Sequence, residues 1–319
     1  MRNGASRERG GRRGRAALQS RTTLQREGLP SGGYGPKPHG TLKILTTVAA
    51  ARRFRRSTSS RLVLVPTMGA LHEGHAALIR RAKQVAGKAG RVVVSIFVNP
   101  TQFGPKEDLS RYPRPIAEDQ RLCRELGVDA IFHPSAKEMY AADFSTWVQE
   151  SAVSSGLCGA TRPGHFRGVS TVVLKLFTIV QPDDAVFGLK DYQQCAVIAR
   201  MVRDLNLPVR LTFAPTVREP DGLARSSRNV FLSPEERAQA PSLRVALLAA
   251  KAAFHAGTTS AAKLKQIARR KISRDAKLDY LEVAAAGTLT PTRIAQPGDT
   301  MALAAFFGKT RLIDNIQLR

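Results

Sequence analysis

Residues 61–75 read RLVLVPTMGALHEGH, and this stretch decides the fold of the chain. Its first part is a short, β-branched apolar run that ends at Pro66, which is typical of a buried strand. Residues 76–86 then have the composition of a helix. We therefore predict a strand, a glycine-containing turn and a helix start in direct succession.

The turn between this strand and helix has the residues of a phosphate site. Gly69 and Gly74 allow the backbone to turn and to approach a ligand closely. His72 and His75 are three residues apart, so both point the same way if a helix begins here. Free N–H groups and the helix dipole at such a start favour a bound anion. Two alternatives stay open: a metal pair, although the zinc pattern is H-E-x-x-H rather than H-E-G-H, and two histidines that only cap the helix.

Around this stretch the chain alternates between strand and helix patterns. Continuous apolar strands separated by helices predict an α/β fold with a Rossmann-like parallel sheet and helices on both faces. Ligands of such a sheet bind at the carboxyl ends of its strands. The predicted strands are residues 61–65, 92–97, 130–132, 185–187 and 209–212, and the predicted helices are residues 76–86, 116–126, 168–180 and 192–205.

The pattern changes after residue 215 and predicts a smaller α+β C-terminal domain. Ser233 and Pro234 are an N-cap and a first helical residue. Predicted helices follow at residues 242–256 and 261–273, and predicted strands at 278–283, 301–307 and 311–316. We therefore divide the chain into an extension (1–40), a Rossmann-like domain (41–214) and a C-terminal lid domain (215–319).

Composition limits the class of protein. A chain of 319 residues can form two domains with cores of their own. It has no run of about 18 apolar residues, so we expect no membrane span. Cys123, Cys158 and Cys195 lie far apart in the sequence and form no C-x-x-C motif. This spacing argues against a zinc knuckle or a disulfide framework and predicts a cytoplasmic protein.

The net charge of +25 is shared between the extension and the rest of the chain. Residues 1–40 contain nine Lys or Arg and two acids, hence +7, which leaves +18 for residues 41–319. Such a surplus attracts polyanions, and it equally suits an enzyme with anionic substrates. The extension is rich in Arg, Gly and Ser and is predicted to be disordered. It has no secretory h-region; a transit peptide, a start codon assigned too far upstream and an RNA-binding arm stay open.

Polar motifs follow the other predicted strands. In SIFVNPTQFG (95–104), Asn99 and Gln102 stand where a ligand is expected, although Asn-Pro is also a common turn pair. RPGHFRGV (162–169) is a glycine-containing loop before an apolar helix, and we assign no catalytic role to His165.

Two further motifs carry cations. In VFGLKDYQQ (186–194), Lys190 is placed to meet phosphate charge, and Asp191 can cap the next helix. In VREPDGLARSSRN (217–229), two hydroxyls beside Arg228 suit a pyrophosphate leaving group, although the segment could also be ordinary coil.

Taken together, the five motifs resemble those of the pantothenate synthetase (pantoate–β-alanine ligase) family, which belongs to the H-x-G-H nucleotidyltransferases. The resemblance covers roughly residues 43–319, with the motifs in the same order. It implies that residues 41–214 bind nucleotide and pantoate. It also implies a two-step reaction, in which pantoate and ATP give pantoyl adenylate and pyrophosphate, and β-alanine then gives pantothenate and AMP.

The resemblance also implies roles for particular residues. Leu189 and Arg225 depart from the family, which has an acidic or amide residue and Met or Leu there, so we expect a weakened peripheral contact and altered packing beside adenine. The implied catalytic residues are His75, His72 and Lys190; the implied ATP-binding residues are Met68, Gly69, Ala70, Leu71, His72, Glu73, Gly74, His75, Gly188, Leu189, Lys190, Asp191, Val217, Arg225, Ser226, Ser227 and Arg228; the implied pantoate- and β-alanine-binding residues are Gln102, Gln194 and Asn99; and Asp119 is the implied Mg²⁺ contact, through water.

The implied ligands are ATP with Mg²⁺, pantoate and β-alanine, and the implied assembly is a homodimer. We expect no membrane partner and no dedicated nucleic-acid partner. Two other functions stay open at this point: a different H-x-G-H adenylyltransferase, and a non-enzymatic RNA-binding protein driven by the charge of +25.

Overall fold

The computed structural model describes residues 41–105 and 107–319; the predicted disordered extension lies outside the described residues. In this part of the chain, six strands form one sheet in which all neighbouring strands run parallel. The strands are β1 (Lys43–Leu45), β2 (Leu62–Thr67), β3 (Arg91–Ile96), β4 (Ala130–Phe132), β5 (Asp184–Gly188) and β6 (Arg210–Ala214).

The order of the strands places a ligand crevice in the middle of the sheet. The order is β1-β4-β3-β2-β5-β6, so the chain builds outward in one direction from β2 and then crosses back to start β5 on its other side. The crevice where the strand order reverses is the place where open parallel sheets bind ligands. Both the glycine turn after β2 and the segment around Lys190 after β5 lie at this switch point.

Helices cover both faces of the sheet, because successive strand residues point to opposite sides. Leu62 and Leu64 join a core with α1, α6 and α7, whereas Val63 and Val65 join another with α2 and α3. These strand residues are fully buried. The helices of this region are α1 (Val48–Arg56), α2 (Glu73–Ala86), α3 (Ile116–Glu125), α4 (Ala136–Met139), α5 (Cys158–Thr161), α6 (His165–Val180) and α7 (Tyr192–Asp204).

The C-terminal region packs helices on a small antiparallel sheet with a core of its own. Its elements are α8 (Pro234–Gln239), α9 (Ser242–His255), α10 (Ala261–Arg269), β7 (Lys277–Ala284), β8 (Thr300–Phe307) and β9 (Thr310–Gln317). Ser233 caps α8 by accepting from the Glu236 N–H, and the Glu236 carboxylate accepts from the Ser233 N–H in return. The predicted cap is therefore confirmed.

The predicted fold class is confirmed, and the differences lie at the ends of elements. Helix α2 begins three residues earlier than predicted because His72 caps it. Helix α6 begins at His165, so the second half of the predicted loop 162–169 is helical. Strand β1 was not predicted, because only Leu45 of its three residues is buried. No helix within residues 41–105 and 107–319 is long and apolar enough to cross a membrane. The division between residues 214 and 215 stays a prediction.

Candidate active site

The turn after β2 is held open by a carboxylate from α3. The backbone is in the left-handed conformation at Gly69 (φ 82°) and Ala70 (φ 51°). Only glycine adopts this conformation without strain. Asp119 is buried and accepts the N–H groups of Ala70 (3.0 Å) and Leu71 (2.7 Å). These two bonds offset the strain of the turn and fix the start of α2.

The two histidines cap α2 and each other. His72 Nδ1 accepts from the Gly74 N–H (3.0 Å), and His75 Nδ1 accepts from the His72 N–H (3.2 Å). A Cβ at Gly74 would lie 2.7 Å from His72 Cε1, so glycine is needed here for room rather than for an unusual φ. Since each Nδ1 is an acceptor, the neutral rings carry their proton on Nε2. Each ring therefore keeps one N–H to donate.

Both rings are neutral at physiological pH. Burial, together with the Lys190 and Arg225 cations, lowers the pKa of His72 to about 4. Burial, together with His72 and Lys190, lowers the pKa of His75 to about 3. The ring centroids are 4.2 Å apart, so a charge on one ring would oppose a charge on the other. In the free protein, then, these side chains are neutral hydrogen-bond donors.

Two amides follow β3. Asn99 is 1% exposed and fully bonded: its Nδ2 donates to Gln102 Oε1 (3.1 Å) and to the Gly168 carbonyl (3.2 Å), and its Oδ1 accepts from the Tyr140 hydroxyl (2.8 Å). Asn99 also caps the short turn that contains Gln102, as the turn interpretation predicted. Asn99 therefore orients Gln102. Within residues 41–105 and 107–319, the Gln102 Nε2 has the Met68 sulfur as its one partner (3.2 Å).

The segment after β5 supplies a cation. Lys190 lies in a 3₁₀ turn, Leu189–Asp191, and its Nζ is 3.4 Å from Asp191 Oδ2. Asp191 precedes α7 but makes no side-chain cap, so the predicted capping role is not seen. Among the described residues the Gln194 amide has no hydrogen-bond partner, which leaves it available to a ligand.

The loop after β6 adds hydroxyls and guanidinium groups. Arg228 makes a bidentate ion pair with Asp108 (2.9 and 3.0 Å), and the Ser227 and Tyr112 hydroxyls are 3.3 Å apart. Ser226 Oγ accepts from the Arg228 N–H (3.2 Å). By contrast, Arg225 Nε is buried and has no hydrogen-bond partner among the described residues.

These segments meet at one cavity of about 230 Å³. It continues into a larger cleft of about 710 Å³ beside the C-terminal sheet, and Lys190, Gln194 and Arg228 line both. The predicted site residues that line the smaller cavity are Met68, His72, Gly74, His75, Asn99, Gln102, Gly188, Lys190, Asp191, Gln194, Val217, Arg225, Ser226, Ser227 and Arg228.

Six predicted site residues do not line it. Gly69, Ala70 and Leu71 form the turn behind the histidines, on the Asp119 carboxylate. Glu73 is exposed and pairs with Arg80. The Leu189 side chain packs against the main core, which gives a physical reason for an apolar residue at this position.

Comparison with known proteins assigns the family. The Pantoate-beta-alanine ligase family model matches residues 43–317. Pantothenate synthetase 1 of Bradyrhizobium diazoefficiens is 52% identical over 282 residues, which are 87% of this chain and 98% of that protein. The pantothenate synthetase of Thermotoga petrophila is 51% identical over 86% of this chain and 99% of its own length. The chain belongs to the pantoate–β-alanine ligase family.

Solved structures agree with this assignment. The crystal structure of pantothenate synthetase from Thermus thermophilus has a TM-score of 0.82 and 45% identity, and the match covers 87% of this chain and 99% of that one. A Francisella tularensis pantoate-beta-alanine ligase complexed with beta-gamma ATP and beta-alanine has a TM-score of 0.73 and 33% identity over 87% and 98%. As a family member the chain is an enzyme that condenses pantoate with β-alanine, using ATP through a pantoyl adenylate.

The ligase site also contains residues to which the sequence analysis gave no role of their own. Arg162 lines both cavities, pairs with Glu107 (2.5 Å) and donates to the Gln102 carbonyl (3.3 Å). His165 Nδ1 bonds the same carbonyl at 2.8 Å, and burial beside Arg162 lowers the pKa of His165 to about 4. Both residues hold the backbone of Gln102. The R-P-G-H segment was a usable signal; the partner Glu107, 55 residues away, had none.

Proposed function

We propose that the cavity between β2, β5 and the loop after β6 is where this ligase forms and consumes pantoyl adenylate. The observation that carries the proposal is the convergence of His72, His75, Lys190 and Arg225 on one cavity that also contains the amides of Gln102 and Gln194. Among the described residues, the Nε2 atoms of His72 and His75 and the Nε atom of Arg225 have no hydrogen-bond partner. A triphosphate beside a small hydroxy acid would satisfy both sets of groups.

In the first step, an oxygen of the pantoate carboxylate attacks the α-phosphorus of ATP, and the bond from that phosphorus to the bridging oxygen of pyrophosphate breaks. Two anions must meet, so the barrier falls when preorganised donors and cations offset their repulsion. The neutral histidines donate Nε2–H to phosphate oxygens, and Lys190 and Arg225 supply charge. Ser226 and Ser227 donate to the leaving pyrophosphate without adding repulsion. His75 serves here as a charge-stabilising donor rather than as an acid.

In the second step, the unprotonated β-alanine amine attacks the acyl carbon, the acyl–oxygen bond breaks, and AMP leaves with the electron pair. The amine nitrogen gives up one proton to the departing phosphate or to water. Gln102 and Gln194 hold the pantoyl group in line through both steps. The geometry of Gln102 depends on Asn99, Arg162 and His165, which bind the turn that contains it. Holding two reactants in place supplies a large part of such rate enhancements.

We propose that Mg²⁺ enters with ATP and shields its phosphates. Among the described residues no three His, Cys, Asp or Glu side chains form a metal site, which fits an ion held mainly by phosphate oxygens and water. Contact between Asp119 and this ion stays a prediction. Both Asp119 oxygens already accept backbone N–H groups.

If Asp119 contacts the ion through water, Asp119→Asn should raise the Mg²⁺ concentration needed for half-maximal activity. An unchanged Mg²⁺ requirement would contradict the contact.

We further propose a homodimer in the cytoplasm, as the family resemblance implies. The mass in solution, measured by light scattering, tests the dimer, and a monomer at micromolar concentration would overturn it. Fractionation of the source cells tests the location.

The residue roles are tested by separating the half-reactions. We expect Lys190→Ala to reduce pantoate-dependent pyrophosphate exchange by roughly 100-fold or more, with an unchanged melting temperature, because it removes charge stabilisation from the transition state. AMP release with and without β-alanine then reports the second step. Pyrophosphate exchange at the normal rate in this variant would overturn the assignment of Lys190.

A further inference from the structure

The C-terminal sheet directly contacts the turn that contains Lys190. Asn315, on β9, donates both hydrogens of its side-chain amide: one to the Leu189 carbonyl and one to the Lys190 carbonyl, each at 2.9 Å. We propose that Asn315 is a positioning residue that fixes the turn so that the Lys190 ammonium faces the substrate phosphates. The proposal rests on the role of Lys190 given above.

The turn needs such support because its own residues supply little. Leu189 and Lys190 lie in a single 3₁₀ turn between β5 and α7, and the residue before α7, Asp191, forms no side-chain cap. In the part of the chain that the structure describes, the Lys190 ammonium has its neighbour Asp191 as its one partner, at 3.4 and 3.5 Å. Within the described residues, Asn315 is the side chain that binds the Leu189 and Lys190 carbonyls. An amide that donates two bonds to consecutive carbonyls fixes their orientation.

Strand β9 is itself firmly placed. The neighbouring Asp314 is 4% exposed and makes a bidentate ion pair with Arg218, at 2.7 and 2.9 Å. Arg218 pairs across a hairpin with Ala224, at the base of the loop that continues to Ser226. Two successive residues of β9 therefore hold the turn with Lys190 and the loop with the serines. The same strand, β9, therefore positions the cation on one side of the cavity and the hydroxyls on the other.

A small displacement of Lys190 is enough to affect the reaction. Misplacement of a catalytic group by about 1 Å can cost about 100-fold in rate. Asn315→Asp keeps the shape of the side chain, removes both donors and sets carboxylate oxygens against the two carbonyls. We expect pantoate-dependent pyrophosphate exchange in this variant to fall about 10- to 100-fold in kcat. The KM for pantoate and the reaction of supplied pantoyl adenylate with β-alanine should stay near those of the parent enzyme.

Gln317→Glu is the matched control. Gln317 lies on β9 two residues further along, and its substitution makes the same change from amide to carboxylate with no side-chain hydrogen bond to lose among the described residues. The exchange rate of this variant should stay at the parent level. Asn315→Ser keeps one donor, so its exchange rate should lie between those of the parent enzyme and Asn315→Asp. If circular dichroism shows that Asn315→Asp does not fold, the exchange rate of Asn315→Ser tests the proposal instead.

A double-mutant cycle separates this proposal from the role of Lys190. If Asn315 acts through Lys190, Asn315→Asp should reduce exchange little further in a Lys190→Ala enzyme. Fully multiplicative losses, equal losses in both half-reactions, or no loss in Asn315→Asp would each overturn the positioning role. Normal exchange in Lys190→Ala alone would instead overturn the proposed function.

Discussion

His72 combines a structural and a chemical role in different atoms of one ring. Its Nδ1 caps α2, and its Nε2–H remains for a ligand. We predict that His72→Asn keeps the cap, because asparagine is among the best N-cap residues, but removes the second donor. The melting temperature should stay nearly unchanged while kcat/KM for ATP falls about 100- to 1000-fold, the usual cost of one transition-state donor.

The matched comparison for this prediction is His72→Ala, which removes both ring nitrogens, the capping Nδ1 and the donor Nε2. It should lose the same activity and also about 1 kcal/mol of stability. Calorimetry and initial rates on the two variants separate the functions. An active His72→Asn enzyme would show that the ring serves only as a cap.

The buried histidines also make stability depend on pH. The pKa of His72 is about 4 and that of His75 about 3 in the folded protein, because of burial and nearby cations, against about 6.5 when unfolded. Between these values the unfolded chain binds more protons, so the free energy of unfolding rises with pH up to about 6.5 and is level above it. From pH 7 to pH 5 we predict a loss of about 2 kcal/mol for each ring.

Urea unfolding at pH 7 and pH 5 measures this loss. His75→Gln, which can keep the reciprocal cap, should have a smaller difference between the two pH values than the parent enzyme. Equal unfolding free energies at both pH values in the parent would contradict neutral, buried rings. A ligand that brings negative charge, such as ATP, should raise both pKa values and reduce the difference.

At the scale of elements, α6 and the turn after β3 must approach very closely to place Gln102. A Cβ on Gly168 would lie 2.4 Å from the Thr101 carbonyl oxygen and 2.8 Å from Gln102 Cα. We predict that Gly168→Ala pushes the two elements apart, lowers the unfolding free energy by about 1–3 kcal/mol and raises the KM for pantoate several-fold. Gly156→Ala is the control, since its nearest neighbour would be 3.9 Å away.

Substrate kinetics and denaturant unfolding on both variants test this prediction. The rise in KM should be specific to pantoate, because Gly168 touches the turn with Gln102 and not the phosphate-binding segments. A Gly168→Ala enzyme with a normal KM for pantoate would show that Gln102 does not depend on the contact.

Whether an element could be predicted from the sequence depends on whether it has a local sequence pattern. The strands between residues 61 and 214 were predicted because each is an apolar run of its own, and the site segments because polar residues follow those runs. Contacts such as Asp108 with Arg228, 120 residues apart, leave no local pattern. The link from Asn315 to Lys190 was hidden for the same reason, because it exists only once distant segments have packed. Strand β1 was missed because only one of its three residues is buried, which leaves no apolar run.

At the scale of the whole molecule, part of the positive charge lies outside the segment that the family shares. The net charge is +25, of which residues 1–40 contribute +7 from nine basic and two acidic residues. The residues that line the two cavities lie between Pro66 and Asn315, and the family match covers residues 43–317. The first 40 residues therefore add charge outside the part of the chain that the family shares.

We predict that deleting residues 1–40 leaves kcat and the KM values for ATP, pantoate and β-alanine nearly unchanged. The deletion should also weaken retention on immobilised RNA, and the dependence of retention on salt should become less steep, because fewer phosphate contacts release fewer counterions. Full activity with retention abolished would assign the RNA affinity to non-specific attraction by the extension. Retention that persists would place a polyanion surface on the +18 of residues 41–319 and contradict our expectation of no dedicated nucleic-acid partner. A large loss of kcat would instead show that the extension acts in catalysis or assembly.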